Sequence, residues 1–228
     1  MKIGILMTGH APDEIQMTSG DYDAMFSRLL TGYDFEFVRF DVVDMEFPKS
    51  VTDADAWLIS GSRHGVYEDH PWIAPLERFI QDIYAAKVPL VGICFGHQII
   101  AQALGGHVEK FQGGWSVGST SYQIGQETIT LNAWHQDQVI TPPKGARVLG
   151  GNSFCKNAIL AYDDHVLTLQ PHPEFDKTVI DGLIEHRGKG KVDDALLHTA
   201  KENLDKTDSS NAMAAMIAKV LTQQANIS

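Results

Sequence analysis

Lys87-Val88-Pro89-Leu90-Val91-Gly92-Ile93-Cys94-Phe95-Gly96-His97-Gln98-Ile99-Ile100-Ala101-Gln102-Ala103-Leu104-Gly105-Gly106 decides the reading of this chain. Its apolar start is too short for a helix and long enough for a buried strand. The stretch from Ile99 to Leu104 reads as helix, and Gly105-Gly106 stops it. Cys94 therefore falls at a strand-to-helix turn, with Gly92 and Gly96 two positions to either side. This is the pattern of a nucleophile elbow, with sulfur in place of serine oxygen. The glycines permit a tight turn without a Cβ clash. The unpaired N–H groups and positive end of the following helix favour thiolate over thiol. On this stretch alone, a buried cysteine in an ordinary βα turn stays open beside the activated nucleophile.

Outward from the elbow, the chain repeats strand and helix. Lys2–Met7, Phe35–Phe40 and Ala56–Ile59 read as strands. A helix capped near Asp21 runs to Leu30, and Pro71–Ala86 reads as a second helix, with Leu76, Phe79, Ile80 and Ile83 at helical spacing. Such repetition predicts a parallel sheet with helices on both faces. From Val108 to Leu131 the chain is rich in Gly, Ser and Thr, and is expected to form short antiparallel hairpins beside the main sheet. Arg147–Leu149, Ala158–Tyr162 and Val166–Leu169 are further short strands, the last ended by Gln170-Pro171-His172-Pro173-Glu174. Thr178–His186, Asp193–Asn203 and Asn211–Gln223 are expected helices, and the charged run Glu185–Lys191 a solvated connection. The expected organisation is one domain over 1–228, with a core of about 1–190 and C-terminal helices over about 191–228.

The chain has 228 residues, 43% of them hydrophobic and 21% charged, which is ordinary for a water-soluble globule. Its net charge of −11 and the lack of a Lys/Arg stripe argue against nucleic acid or an anionic membrane as partner. The two cysteines, Cys94 and Cys155, are too few for a disulfide framework. With no export signal and no membrane-length apolar run, a cytoplasmic location is expected.

A thiol nucleophile needs a base, and the base an orienting acceptor. Of ten histidines, His97 lies only three residues past Cys94 and is expected to pack beneath the elbow. His172 sits at the end of a late strand, on the sheet edge where Cys94 belongs, and Glu174 follows two residues on. An i, i+2 pair in extended chain points both side chains the same way, so the carboxylate can hold the imidazole tautomer. The pairs His64/His70 and His165/His172 match no Cys/His zinc spacing, so no metal and no cofactor are expected.

Taken together, Gly92-Ile93-Cys94-Phe95-Gly96-His97-Gln98, a downstream His172-Pro173-Glu174, Ser60-Gly61-Ser62 after the third strand, and Trp134-His135-Gln136-Asp137 resemble the class I (triad) glutamine amidotransferases. The resemblance spans roughly residues 55 to 175, in the family's order. It implies a three-layer α/β fold: a mostly parallel open sheet, flavodoxin-like, with a small antiparallel addition. It further implies that Cys94 attacks a γ-glutamyl carbonyl, that His172 moves the proton, and that Glu174 orients His172. Backbone N–H groups of Gly61 and Phe95 would form the oxyanion hole, and Gln98 and His135 would contact substrate. The sequence departs from the family at Pro171, where an aromatic residue is usual, at Gln136, where glycine is usual, and over Arg63–Tyr67.

Cys94–Ile100 with His135-Gln136-Asp137 is similar to the stand-alone branch, the γ-glutamyl peptidases and GMP-synthase-like proteins. The stretch after Glu174 has no room for a synthetase domain, so a separate ammonia-accepting synthetase is a possible partner. Three readings follow: a γ-glutamyl amide or peptide hydrolase, a glutaminase subunit feeding such a partner, or a non-hydrolytic Cys-elbow stress or redox module.

Overall fold

The computed structural model describes residues 1–206 and 208–224; positions 207 and 225–228 of the expected C-terminal stretch lie outside the described residues. The chain opens with β1 (Lys2–Leu6), followed by α1 (Asp13–Ser19), α2 (Tyr22–Leu29), β2 (Glu36–Phe40) and β3 (Ala56–Ile59). Next come α3 (Ile73–Ala85), β4 (Leu90–Ile93) and α4 (Phe95–Ala103). The middle of the chain is β-rich: β5 (His107–Lys110), β6 (Ser116–Ile124), β7 (Glu127–His135), β8 (Asp137–Thr141), β9 (Arg147–Gly151), β10 (Ile159–Tyr162) and β11 (Val166–Leu169). Three helices close it: α5 (Lys177–Leu183), α6 (Asp194–Glu202) and α7 (Ser210–Leu221).

The main sheet has nine strands in the order β2-β1-β3-β4-β11-β10-β9-β6-β7. β2, β1, β3, β4 and β11 run parallel to one another. β10, β9, β6 and β7 continue the sheet with antiparallel pairing. The strand order reverses at β1, and in open α/β sheets ligands bind outside the carboxyl ends at such a switch. β5 and β8 form a separate two-stranded ribbon.

The inner parallel strands β3, β4 and β11 are buried on both faces, which is why they read as largely apolar runs. Their alternate residues feed two cores. Ala56, Leu58, Val91, Ile93, Leu167 and Leu169 pack with residues of α2, α5 and α7, including Phe26, Ile180 and Ile217. Trp57, Ile59, Leu90 and Val166 pack on the other face with Leu76 and Ile80 of α3 and Ile99 and Ile100 of α4. Among the described residues, no helix is long and apolar enough to cross a membrane.

Several local expectations are corrected. Of the segment 108–131, only 108–110 lies beside the main sheet, in the antiparallel ribbon of β5 with β8. Its long hairpin, β6 with β7, extends that sheet through β6 pairing with β9. Helix α1 was not expected: over seven residues it buries only Ile15 and Ser19, too few to show a helical period. The run Glu185–Lys191 is only partly solvated, because Ile184–Gly188 continues α5 as a wide π-type turn that buries Ile184 and Gly188. Gly188 lies directly against Leu197, so that turn docks α6.

Candidate active site

β4 delivers the chain to Cys94, where the backbone turns at φ 53° and ψ −99° before α4 begins. Such a conformation is strained for a residue with a side chain and persists only where its surroundings fix it. Here they do. The Cys94 N–H donates to the Leu169 carbonyl (2.7 Å) and the Gly96 N–H to the Ser60 carbonyl (3.1 Å). A Cβ on Gly92 would lie 2.5 Å from the Gly96 carbonyl oxygen, and one on Gly96 would collide with the Ile59 carbonyl. Both elbow glycines are thus required by backbone approaching backbone. Phe95 is the first residue of α4, where N–H groups have no intrahelical acceptor.

Gly61 follows β3, across from the elbow. Thr8, at the end of β1, fixes this loop: its N–H donates to Ser60 Oγ (2.9 Å), and its hydroxyl donates to the carbonyls of Ser60 (3.0 Å) and Gly61 (3.1 Å). A Cβ on Gly61 would sit 3.1 Å from His172 Cε1 and 3.8 Å from Cys94 Cβ. Gly61, Cys94 and His172 therefore meet at one point, although they come from three different connections.

His172 and Glu174 follow β11 in a turn and not in the extended stretch expected for them: residues 173–174 are turn, and the Phe175 N–H donates back to the His172 carbonyl (3.4 Å), yet the two side chains still meet. His172 Nδ1–H donates to Glu174 Oε1 at 2.6 Å, with side-chain exposures of 3% and 0%. The imidazole stacks on Phe175 (centroids 3.9 Å apart, 5° between planes), which in turn stacks on Tyr22. Burial pulls the His172 pKa down, but the charges of Glu174 and Cys94 and the hydrogen bonds to both outweigh it and carry the pKa up to about 10. The ring is held as a cation beside the sulfur. His97 takes no such place. It is fully buried under the elbow with Nδ1 2.7 Å from Thr168 Oγ1, and burial drives its pKa down to about 3.

The two expected substrate contacts are buried. Gln98 is 3% exposed, and its amide nitrogen donates to the Asp137 carbonyl (2.9 Å) and to Gln170 Oε1 (3.1 Å). Gln170 then points its own amide nitrogen at Cys94 Sγ (3.6 Å). Gln170 was passed over in the sequence, where the only clue is a polar residue ending the apolar strand β11. His135 is also 3% exposed, and burial, with the nearby charge of His172, lowers its pKa to about 3. It lies in the interior as a neutral ring.

Cys155 is 1% exposed, and burial pushes its thiol up to about 12, the condition of an inert structural thiol. A cavity of about 750 Å³ opens beside the Gly61 loop, lined by Gly9, His10, Asp21, Arg39, Arg63 and Arg187 among others. Gly9 packs against Ser62, which ties this cavity wall to that loop.

The mixed α/β fold, with its large, mostly parallel sheet and small antiparallel ribbon, is the architecture shared with known proteins. The family described as Glutamine amidotransferase class-I matches residues 24–187, and the chain belongs to that family. It is 30% identical over 216 residues to gamma-glutamyl peptidase 2 of Arabidopsis thaliana, covering 87% of each chain. It is 28% identical over 157 residues to a glutamine-hydrolyzing GMP synthase subunit of Sulfolobus acidocaldarius, covering 64% of this chain and 82% of that one. The fold is similar to that of a glutamine amidotransferase from Methylobacillus flagellatus, with a TM-score of 0.77, 21% identity, and coverage of 98% and 93% of the two chains.

Proposed function

We propose that this protein cleaves a γ-glutamyl amide bond through a thioester on Cys94. The observation that carries this reading is the convergence of Cys94, His172 and Gly61 at one point, with Glu174 on the far side of the imidazole. In the reaction, the Cys94 sulfur attacks the γ-carbonyl carbon, and His172 gives its proton to the departing nitrogen as the C–N bond breaks. Water, deprotonated by His172, then opens the thioester and releases glutamate. Splitting the amide cleavage into two steps lowers each barrier. The N–H groups of Gly61 and Phe95 serve the oxyanion. Gln98 and His135, given their burial, act by supporting the pocket wall, with the Gln98 side-chain oxygen and the two unpartnered ring nitrogens of His135 left to offer a ligand.

The leaving group is the second part of the proposal. The γ-glutamyl peptidase relatives favour a leaving group larger than ammonia, a peptide or amino acid amine. The GMP synthase relatives favour a second reading, in which ammonia passes to a separate synthetase partner. The test is turnover of the purified chain on glutamine and on γ-glutamyl peptides, without partner. Peptide turnover that Cys94→Ala abolishes is expected. Activity on glutamine alone, rising when a synthetase is added, would replace the first reading by the second. Unchanged turnover in Cys94→Ala would overturn both.

A further inference from the structure

His64 and His70 have no zinc spacing in the sequence, but the fold adds a third ligand between them. The connection from Gly61 to α3 turns at Gly65–Glu68, where the Glu68 N–H donates to the Gly65 carbonyl (3.1 Å). That turn brings the Glu68 carboxylate under both rings. Its Oε2 lies 3.1 Å from His64 Nδ1 and 2.8 Å from His70 Nε2. The two rings meet edge to face with centroids 4.2 Å apart. One nitrogen of each ring and one oxygen of the carboxylate all lie within 4.8 Å of one another.

We propose that His64, Glu68 and His70 form a binding site for a divalent transition ion of the zinc type. Two imidazoles and one carboxylate suit zinc, cobalt or nickel and not magnesium, which takes oxygen ligands. Zinc bonds of about 2.0–2.2 Å place tetrahedral ligand atoms roughly 3.3 Å apart. The two nitrogen–oxygen distances lie near that value and all three ligand atoms fall within 4.8 Å of one another, so an ion enters by replacing two hydrogen bonds while the side chains adjust around it. The rings are held from behind. His70 stacks on Trp72 (5.9 Å, 10°), His64 meets Trp72 edge-on (6.0 Å), and Trp72 contacts Phe95 (5.4 Å). With side-chain exposures of 18%, 42% and 31%, the three ligands leave the remaining coordination position to solvent. An ion here ties the Gly61 loop to the start of α3, next to the residue that follows Cys94.

The test uses untagged full-length Cys94→Ala protein, because a cysteine beside a histidine is itself a zinc ligand set. Titration calorimetry with Zn²⁺ alone is expected to give one ion per chain, and Mg²⁺ none. His70→Ala and Glu68→Gln, each added to Cys94→Ala, are expected to weaken Zn²⁺ binding by more than the ~10–100-fold that loss of an outer-shell partner costs. His64→Asn replaces any variant whose circular dichroism departs from that of the parent. No Zn²⁺ binding by the parent, or binding that these substitutions leave unchanged, would overturn the assignment. Neither result bears on γ-glutamyl cleavage, which the activity of Cys94 decides separately.

Discussion

Replacing Glu174 by Gln isolates what the buried carboxylate does. The substitution keeps the shape of a side chain that sits 2.6 Å from His172 Nδ1 with no exposure of its own. It changes two things. The negative charge that holds His172 protonated is gone, and the new amide can donate to Nδ1. A donating amide selects the tautomer with hydrogen on Nε2, which cannot take a proton from sulfur. The oxyanion donors and the substrate pocket survive, so some rate remains. The expected fall in kcat is roughly 10³–10⁴-fold, as when a triad carboxylate elsewhere is made an amide, which corresponds to about 4–5.5 kcal/mol of barrier. Steady-state release of glutamate from a γ-glutamyl peptide reads this directly, and KM should move little. A kcat within about tenfold of the parent would refute the orienting role. A second readout concerns stability. The folded pKa of His172 is raised from 6.5 to about 10, so its stabilising contribution is complete below about 6.5 and is lost as the pH rises through about 10. Thermal melts should therefore show Glu174→Gln most destabilised near pH 6 and converging with the parent, or crossing it, above pH 10. A gap that stays constant across that window would show that charge on His172 is not what the carboxylate stabilises.

Gly96→Ala drives a methyl into the Ile59 carbonyl, a backbone atom that has nowhere to go; we expect a loss of about 2 kcal/mol, seen as a Tm roughly 4–8 °C lower. Gln98→Ala removes the donor that orients Gln170 toward Cys94 Sγ; kcat should fall with KM nearly constant, whereas a selective rise in KM would restore Gln98 as a direct substrate contact. Iodoacetamide at pH 8 should label Cys94 and spare Cys155, whose thiol burial holds at about 12; peptide mapping of the alkylated protein decides it. Cys155→Ala should retain full turnover while Cys94→Ala has none, and equal losses in both would remove the distinction between the thiols.

What the sequence disclosed was what is encoded locally. The elbow is legible because its glycines are demanded by atoms within four residues or on the adjacent strand, so residue type and spacing carry the message. His172 and Glu174 are legible because they lie only two residues apart, although a turn and not the expected extended segment brings their side chains together. The Glu68 ligand was not legible: a turn closes the gap between His64 and His70, and turns leave little periodic trace. The Gln98–Gln170 contact joins side chains 72 positions apart and depends on the parallel pairing of β4 with β11, which no local pattern states. The same holds for the hairpin β6–β7, whose place in the main sheet rests on the pairing of Gln123 and Ile124 with Gly151 and Gly150.

That hairpin bears on the site more than its distance in sequence suggests. The backbone of each expected catalytic position is held by a different strand. Cys94 is held by the Leu169 carbonyl of β11, and the Gly61 loop by Thr8 at the end of β1. The His172 N–H donates to the carbonyl of Asn132 in β7 (2.8 Å), and the Asn132 side chain donates to the Phe175 carbonyl (2.8 Å). Asn132 thus clamps both ends of the segment that carries His172 and Glu174, and it keeps Phe175 stacked under the imidazole. β7 can do this only as the edge of the main sheet, in register with β6. Loops are the mobile parts of most folds, yet productive geometry tolerates errors of only about half an ångström. Here the loop residues borrow their precision from the sheet, and the antiparallel extension supplies the clamp for His172, the residue proposed to hold and move a proton.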